Sequence, residues 1–166
     1  MGASGWNYFT PYQEDVENAL QALRKEVFEK GEYGQSSALK SSDFDSLPPE
    51  LKFAFEGMRD LDEEKFGSKE FDSIEELLEE AAEDGTHSIL DIARTAKEPE
   101  FAVAWPAPKE AIIRVYGTAR PTRSEIEDKQ GELTDVMELE RWQAVFVTVY
   151  SEGKPSEIYF EGVSGD

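Results

Sequence analysis

Trp142-Gln143-Ala144-Val145-Phe146-Val147-Thr148-Val149-Tyr150 is the stretch whose reading decides the fold. It is rich in β-branched and aromatic residues, and its apolar side chains fall at both parities instead of alternating with polar ones. That pattern predicts a strand covered on both faces. Ser151-Glu152-Gly153-Lys154-Pro155 has turn chemistry, and Ser156 to Phe160 reads as the returning strand of a hairpin.

Upstream, Phe101, Val103 and Trp105 alternate with alanines and predict another strand. Ser88-Ile89-Leu90-Asp91-Ile92 is a short apolar run bounded by Gly85 and charged residues, and it too reads as a strand. The aromatic N-terminal segment Trp6-Asn7-Tyr8-Phe9, with Tyr12 beyond it, is expected to lie as a strand or arm against the sheet.

Helices fill the first half. Thr10-Pro11-Tyr12-Gln13 has the composition of a helix start, with Thr10 capping, Pro11 at the first position and Gln13 reaching back. Val16, Leu20, Leu23 and Val27 then form one apolar stripe that Gly31 closes. Pro48-Pro49 opens a second helix with Leu51, Ala54, Phe55, Met58 and Leu61 on a stripe. Phe53 falls opposite that stripe and is expected to pack under the preceding loop. Ser73 and Glu76 make a capping box for a third helix, with Ile74, Leu77, Leu78 and Ala81 inward and Asp84-Gly85 closing it. Residues 109–116 suit either element: Pro108 and the closing Gly117 favour a helix, the reading adopted, while Ile112, Ile113 and Val115 would suit a strand. Thr122 and Glu125 form another capping box. The fold class expected is α+β in a single domain, 1–166. Three to four helices pack on a small, mainly antiparallel sheet that ends in a C-terminal β-hairpin.

Charge is the most distinctive bulk property. The chain of 166 residues carries 37 Asp and Glu against 17 Lys and Arg, a formal net of −20. Such a surface repels nucleic acid and anionic lipid and attracts basic partners. There are no cysteines, which removes disulfides, thiolate metal sites and thiol nucleophiles. No apolar stretch approaches the ~18 residues of a membrane span, and the first residues lack the basic and apolar parts of a secretory signal. The chain is therefore read as cytoplasmic, without cofactor or metal and without direct contact to nucleic acid or membrane.

The acidic excess peaks at residues 75–84. Glu75, Glu76, Glu79, Glu80, Glu83 and Asp84 are expected on one outward helical face, at about one charge per 2.7 Å. That is close to the ~3.4 Å phosphate spacing along one DNA strand. Like charges four apart each cost roughly 0.2–0.5 kcal/mol, and no Lys or Arg interrupts the run. This face is the candidate partner-binding surface, and a basic protein is the partner it fits. The acidity is similar in kind to that of immunity proteins and nucleic-acid-mimicking inhibitors, although no motif identifies a family.

Arg114, Arg120, Arg123 and Lys129 gather within sixteen positions and form a second candidate, with Arg120 and Arg123 able to hold a phosphate or carboxylate. This is the alternative reading, a small-anion-binding domain or enzyme. A third is an adaptor whose acidity serves solubility alone. His87 is the only histidine, and on a strand it would lie ~13 Å from Asp91, too far for a base and its orienting carboxylate. No catalytic residue is assigned.

Overall fold

The computed structural model describes residues 4–34, 48, 49, 51–54, 56, 57 and 70–165. The two-faced stretch is strand β4 (Gln143–Ser151) of a five-stranded sheet, joined by a tight hairpin to β5 (Lys154–Val163). Glu152 and Gly153 take φ of 50° and 76° at the hairpin tip. Two successive positive-φ residues match the twist of the flanking strands, which explains the short connection. The edge strand β1 (Gly5–Pro11) pairs antiparallel with the other side of β5.

Beyond β4 the sheet departs from the antiparallel expectation. The short strands β2 (Arg94–Thr95) and β3 (Val103–Pro106) continue it in parallel, giving the order β1-β5-β4-β3-β2 and a mixed sheet. The crossover from β3 to β4 holds α3 (Lys109–Tyr116), α4 (Arg123–Glu127) and α5 (Glu132–Met137). A parallel neighbour needs a long return path of this kind, because a hairpin cannot supply it. On the other side of the sheet lie α1 (Val16–Lys30), α2 (Ile74–Glu80) and a 3-10 turn at Ile89–Asp91. Among the described residues the chain thus forms more helices than the three to four expected. Positions 49, 51–54, 56 and 57 are helical as well, whereas Phe55, Met58 and Leu61 of the anticipated second stripe lie outside the described residues.

Each face of the sheet has its own core. Leu20, Leu23 and Val27 of α1, with Leu77, Ile89 and Leu90, pack on Ala144, Ile158 and Phe160. Val145, Val147, Val149 and Tyr159 point the opposite way, against Val115, Ile126 and Leu133. Each large apolar side chain so buried stabilises the fold by roughly 1.5–3 kcal/mol. Covering on both faces is why β4 reads as a nearly continuous apolar run.

Three local expectations are corrected. Thr10 and Pro11 do not start α1: they extend β1 and pair with Ile158 and Glu157, and Thr10 is buried. Asp15 caps the helix instead, its carboxylate accepting from the Glu17 amide at 3.0 Å. Residues 88–92 are not a strand, because the Ser88 hydroxyl accepts from the Leu90 amide and turns the chain into one 3-10 turn. Phe53 is 80% exposed, against the packed position expected, and residues 35–47 of the loop that was to cover it lie outside the described residues. The Gly31 stop, the helix at 109–116 and the complete Thr122/Glu125 capping box are as expected.

Candidate functional site

The acidic run begins on α2. Ser73 caps the helix by accepting from the Glu76 amide at 3.2 Å. The Glu76 carboxylate reaches back one residue further than a standard capping box and accepts from the Asp72 amide at 2.9 Å. Leu77 and Ala81 are buried, while Glu75, Glu76, Glu79, Glu80, Glu83 and Asp84 are all exposed. The helix stops at Glu80, so Glu83 and Asp84 sit in the following turn and the regular ladder of charges is shorter than expected. The run is also not wholly without a cation, since Arg24 of α1 interacts electrostatically with Glu75. Arg24 is itself buried, where it donates to the Ala93 and Leu90 carbonyls and ties α1 to the 3-10 turn.

The basic residues of the third quarter are committed to separate partners. Arg123 bonds Glu127 through Nε at 2.7 Å and Glu157 through a terminal nitrogen, and its guanidinium lies 4.2 Å from the centroid of the Phe9 ring. Its carboxylate neighbours hold its pKa above the ordinary value, with the hydrogen bond to Glu127 the largest cause. Arg120 lies over the Tyr150 ring at 5.5 Å. Lys129 pairs with Glu132 at 3.4 Å. Arg114 lines an open depression of about 460 Å³ together with Asp135, Val136 and Glu138. An anion entering at Arg123 would compete with two carboxylates already in place.

Two buried polar clusters have no counterpart in the sequence reading. In the first, Asp91 accepts from the Thr86 amide (2.6 Å) and hydroxyl (2.8 Å) through one oxygen and from the Ser164 hydroxyl (2.6 Å) through the other. The His87 amide donates to Ser164, and the Thr86 and Ser88 hydroxyls are bonded to each other. Burial raises the Asp91 pKa, against the hydrogen bonds from Ser164 and Thr86 and the nearby His87. The 3-10 turn thus brings His87 within electrostatic reach of Asp91, unlike the extended geometry expected. Ser164 has its hydroxyl engaged by Asp91 and is fully buried, an arrangement that ties the chain's last residues to the 84–91 segment. Tyr8 lies alongside, its phenol pushed up to about 12 mainly by burial.

In the second cluster Glu161, 1% exposed, caps α5 from a distance. It accepts from the Gly131 amide (3.0 Å), the Thr134 amide and hydroxyl (2.6 Å each) and the Tyr159 hydroxyl (2.6 Å). Three donors at a helix N-terminus and the Tyr159 hydroxyl of β5 compensate a buried carboxylate. Burial raises the Tyr159 pKa, and the adjacent Glu161 charge raises it further. A charge inside the apolar run Ile158-Tyr159-Phe160-Glu161-Gly162-Val163 is the sequence signal that marks this residue. In both clusters the buried carboxylate accepts from at least three protein donors, as carboxylates in structural networks do.

Among the described residues no group of three or more His, Asp or Glu side chains converges as a metal site. No helix among them is long and apolar enough to cross a membrane. Compared with protein families, with curated proteins and with solved structures, the chain gives no match.

Proposed function

We propose that this protein is a non-enzymatic acidic interaction module that binds a basic protein partner, in the manner of an inhibitor or immunity factor. Glu75, Glu76, Glu79, Glu80, Glu83 and Asp84 form the contact surface. The observation that carries this reading is that all six are exposed while the apolar side of the same segment is buried, so the charges face outward on a fixed support. Like charges four apart on the helix, as at Glu75/Glu79 and Glu76/Glu80, are unfavourable, and attraction to a basic surface offsets that cost. The small-anion alternative is supported less, because Arg123 already bonds Glu127 and Glu157.

The test is capture of partners from the native host by the wild type and by Glu76→Lys/Glu80→Lys. Loss of a captured basic protein in the reversed variant supports the reading. The same protein captured equally by both variants overturns it.

A further inference from the structure

Phe101 and Trp142 meet at one end of the sheet, just before β3 and β4. The Ala102 amide donates to the Trp142 carbonyl at 2.9 Å, which sets the two segments side by side. The rings are 5.7 Å apart and tilted by 42°. Phe101 is 73% exposed, and Trp142 is half-buried where Trp6 and Trp105 are buried. Ala102 and Trp142 hold φ of 55° and 64°, conformations that non-glycine residues seldom adopt.

This aromatic pair and the end of the acidic run are both tied to the segment 164–165. Gly165 lies flat on the Trp142 indole: a Cβ there would fall 2.2 Å from the ring. Gly85 packs on the same segment, since its Cβ would fall 2.7 Å from the Ser164 hydroxyl and 3.1 Å from the Gly165 nitrogen. Gly85 directly follows Glu83 and Asp84, so the end of the acidic run and the Trp142 ring pack against the same short segment, Ser164-Gly165. Glu98, Glu100, Glu138 and Glu140 flank the rings in sequence and are exposed. Of the local cations, Arg94 pairs with Glu100, and Arg141 reaches the Gly165 carbonyl at 3.5 Å.

We propose that Phe101 and Trp142 form an aromatic seat for an arginine or lysine side chain of the same basic partner that the Glu75–Asp84 run contacts. This rests on the basic-partner reading above. Ring faces attract guanidinium and ammonium groups, and exposed aromatics serve as interface anchors. The net charge of −20 and the exposed Glu98, Glu138 and Glu140 nearby in sequence favour a cationic occupant over an apolar one.

A short Arg-Gly-Ser repeat peptide is the probe, with its citrulline counterpart as the uncharged control. Binding is measured by titration calorimetry, and tryptophan fluorescence separately reads the surroundings of Trp142, because Trp6 and Trp105 are buried away from a surface ligand. The expected result is a change in emission with the arginine peptide only, and binding weakened about three-fold to five-fold by Phe101→Ala. Phe101 is exposed enough for the variant to fold, and circular dichroism checks this. If Phe101→Ala binds as wild type and emission is unchanged, while Glu76→Lys/Glu80→Lys loses the peptide, the aromatic seat is overturned and the basic-partner reading stands. If the wild type binds the arginine and citrulline peptides alike, both fall.

Discussion

Glu161 is the single residue on which the second core layer most depends. Glu161→Ala leaves the Gly131 and Thr134 amides and the Tyr159 hydroxyl without their acceptor. Urea unfolding is expected to show a loss of about 3 kcal/mol or more. Asp91 gives a pH signature. Its folded pKa is raised by burial, so its contribution is fully present below the unfolded value of about 3.9 and is lost as pH rises through the folded value. The stability of the wild type relative to Asp91→Asn should therefore fall as pH rises above about 4. A relative stability that rises over this range contradicts the assignment. The sequence shows Glu161 as a charge in an apolar run. It gives no hint of the Asp91–Ser164 bond, because the partners are 73 positions apart and serine is common everywhere.

Among the elements, β1 is held to β5 by shape as much as by hydrogen bonds. Trp6 lies opposite Gly162, and a Cβ at Gly162 would fall 2.4 Å from the Trp6 ring and 2.8 Å from the Ala144 Cβ on the next strand. Gly162→Ala is expected to lift Trp6 from the sheet and cost about 1–3 kcal/mol in urea unfolding, with an increase in tryptophan emission at long wavelength. Local patterning made β4, the hairpin, the stripe of α1 and the Thr122 capping box readable. Where two elements compete for the same residues, patterning fails. Thr10-Pro11 has the chemistry of a helix start, but pairing with β5 decides its place. Ile89, Leu90 and Ile92 are apolar in either a strand or a turn, and the Ser88 hydroxyl settles the matter locally. The parallel alignment of β3 with β4 depends on the path of three intervening helices, which no short window of sequence records.

Over the whole molecule, a net charge of −20 means that unpaired carboxylates repel one another, and dissolved salt screens that repulsion. Thermal unfolding is expected to move upward between low and moderate sodium chloride, a shift that urea m-values should not share. The same screening weakens association with a basic partner, so salt moves folding stability and partner affinity in opposite directions. The acidic face was visible as a run of glutamates; that Gly85 at its end and Trp142 pack on the same residues 164–165 was not, because the contacts are long-range and made by glycines. The most direct test of the account is the affinity of the wild type for a captured basic partner, measured by titration across a salt series. A dissociation constant that rises steeply with salt, together with loss of binding in Glu76→Lys/Glu80→Lys, is the predicted result. A salt-independent constant, unchanged in that variant, would contradict it.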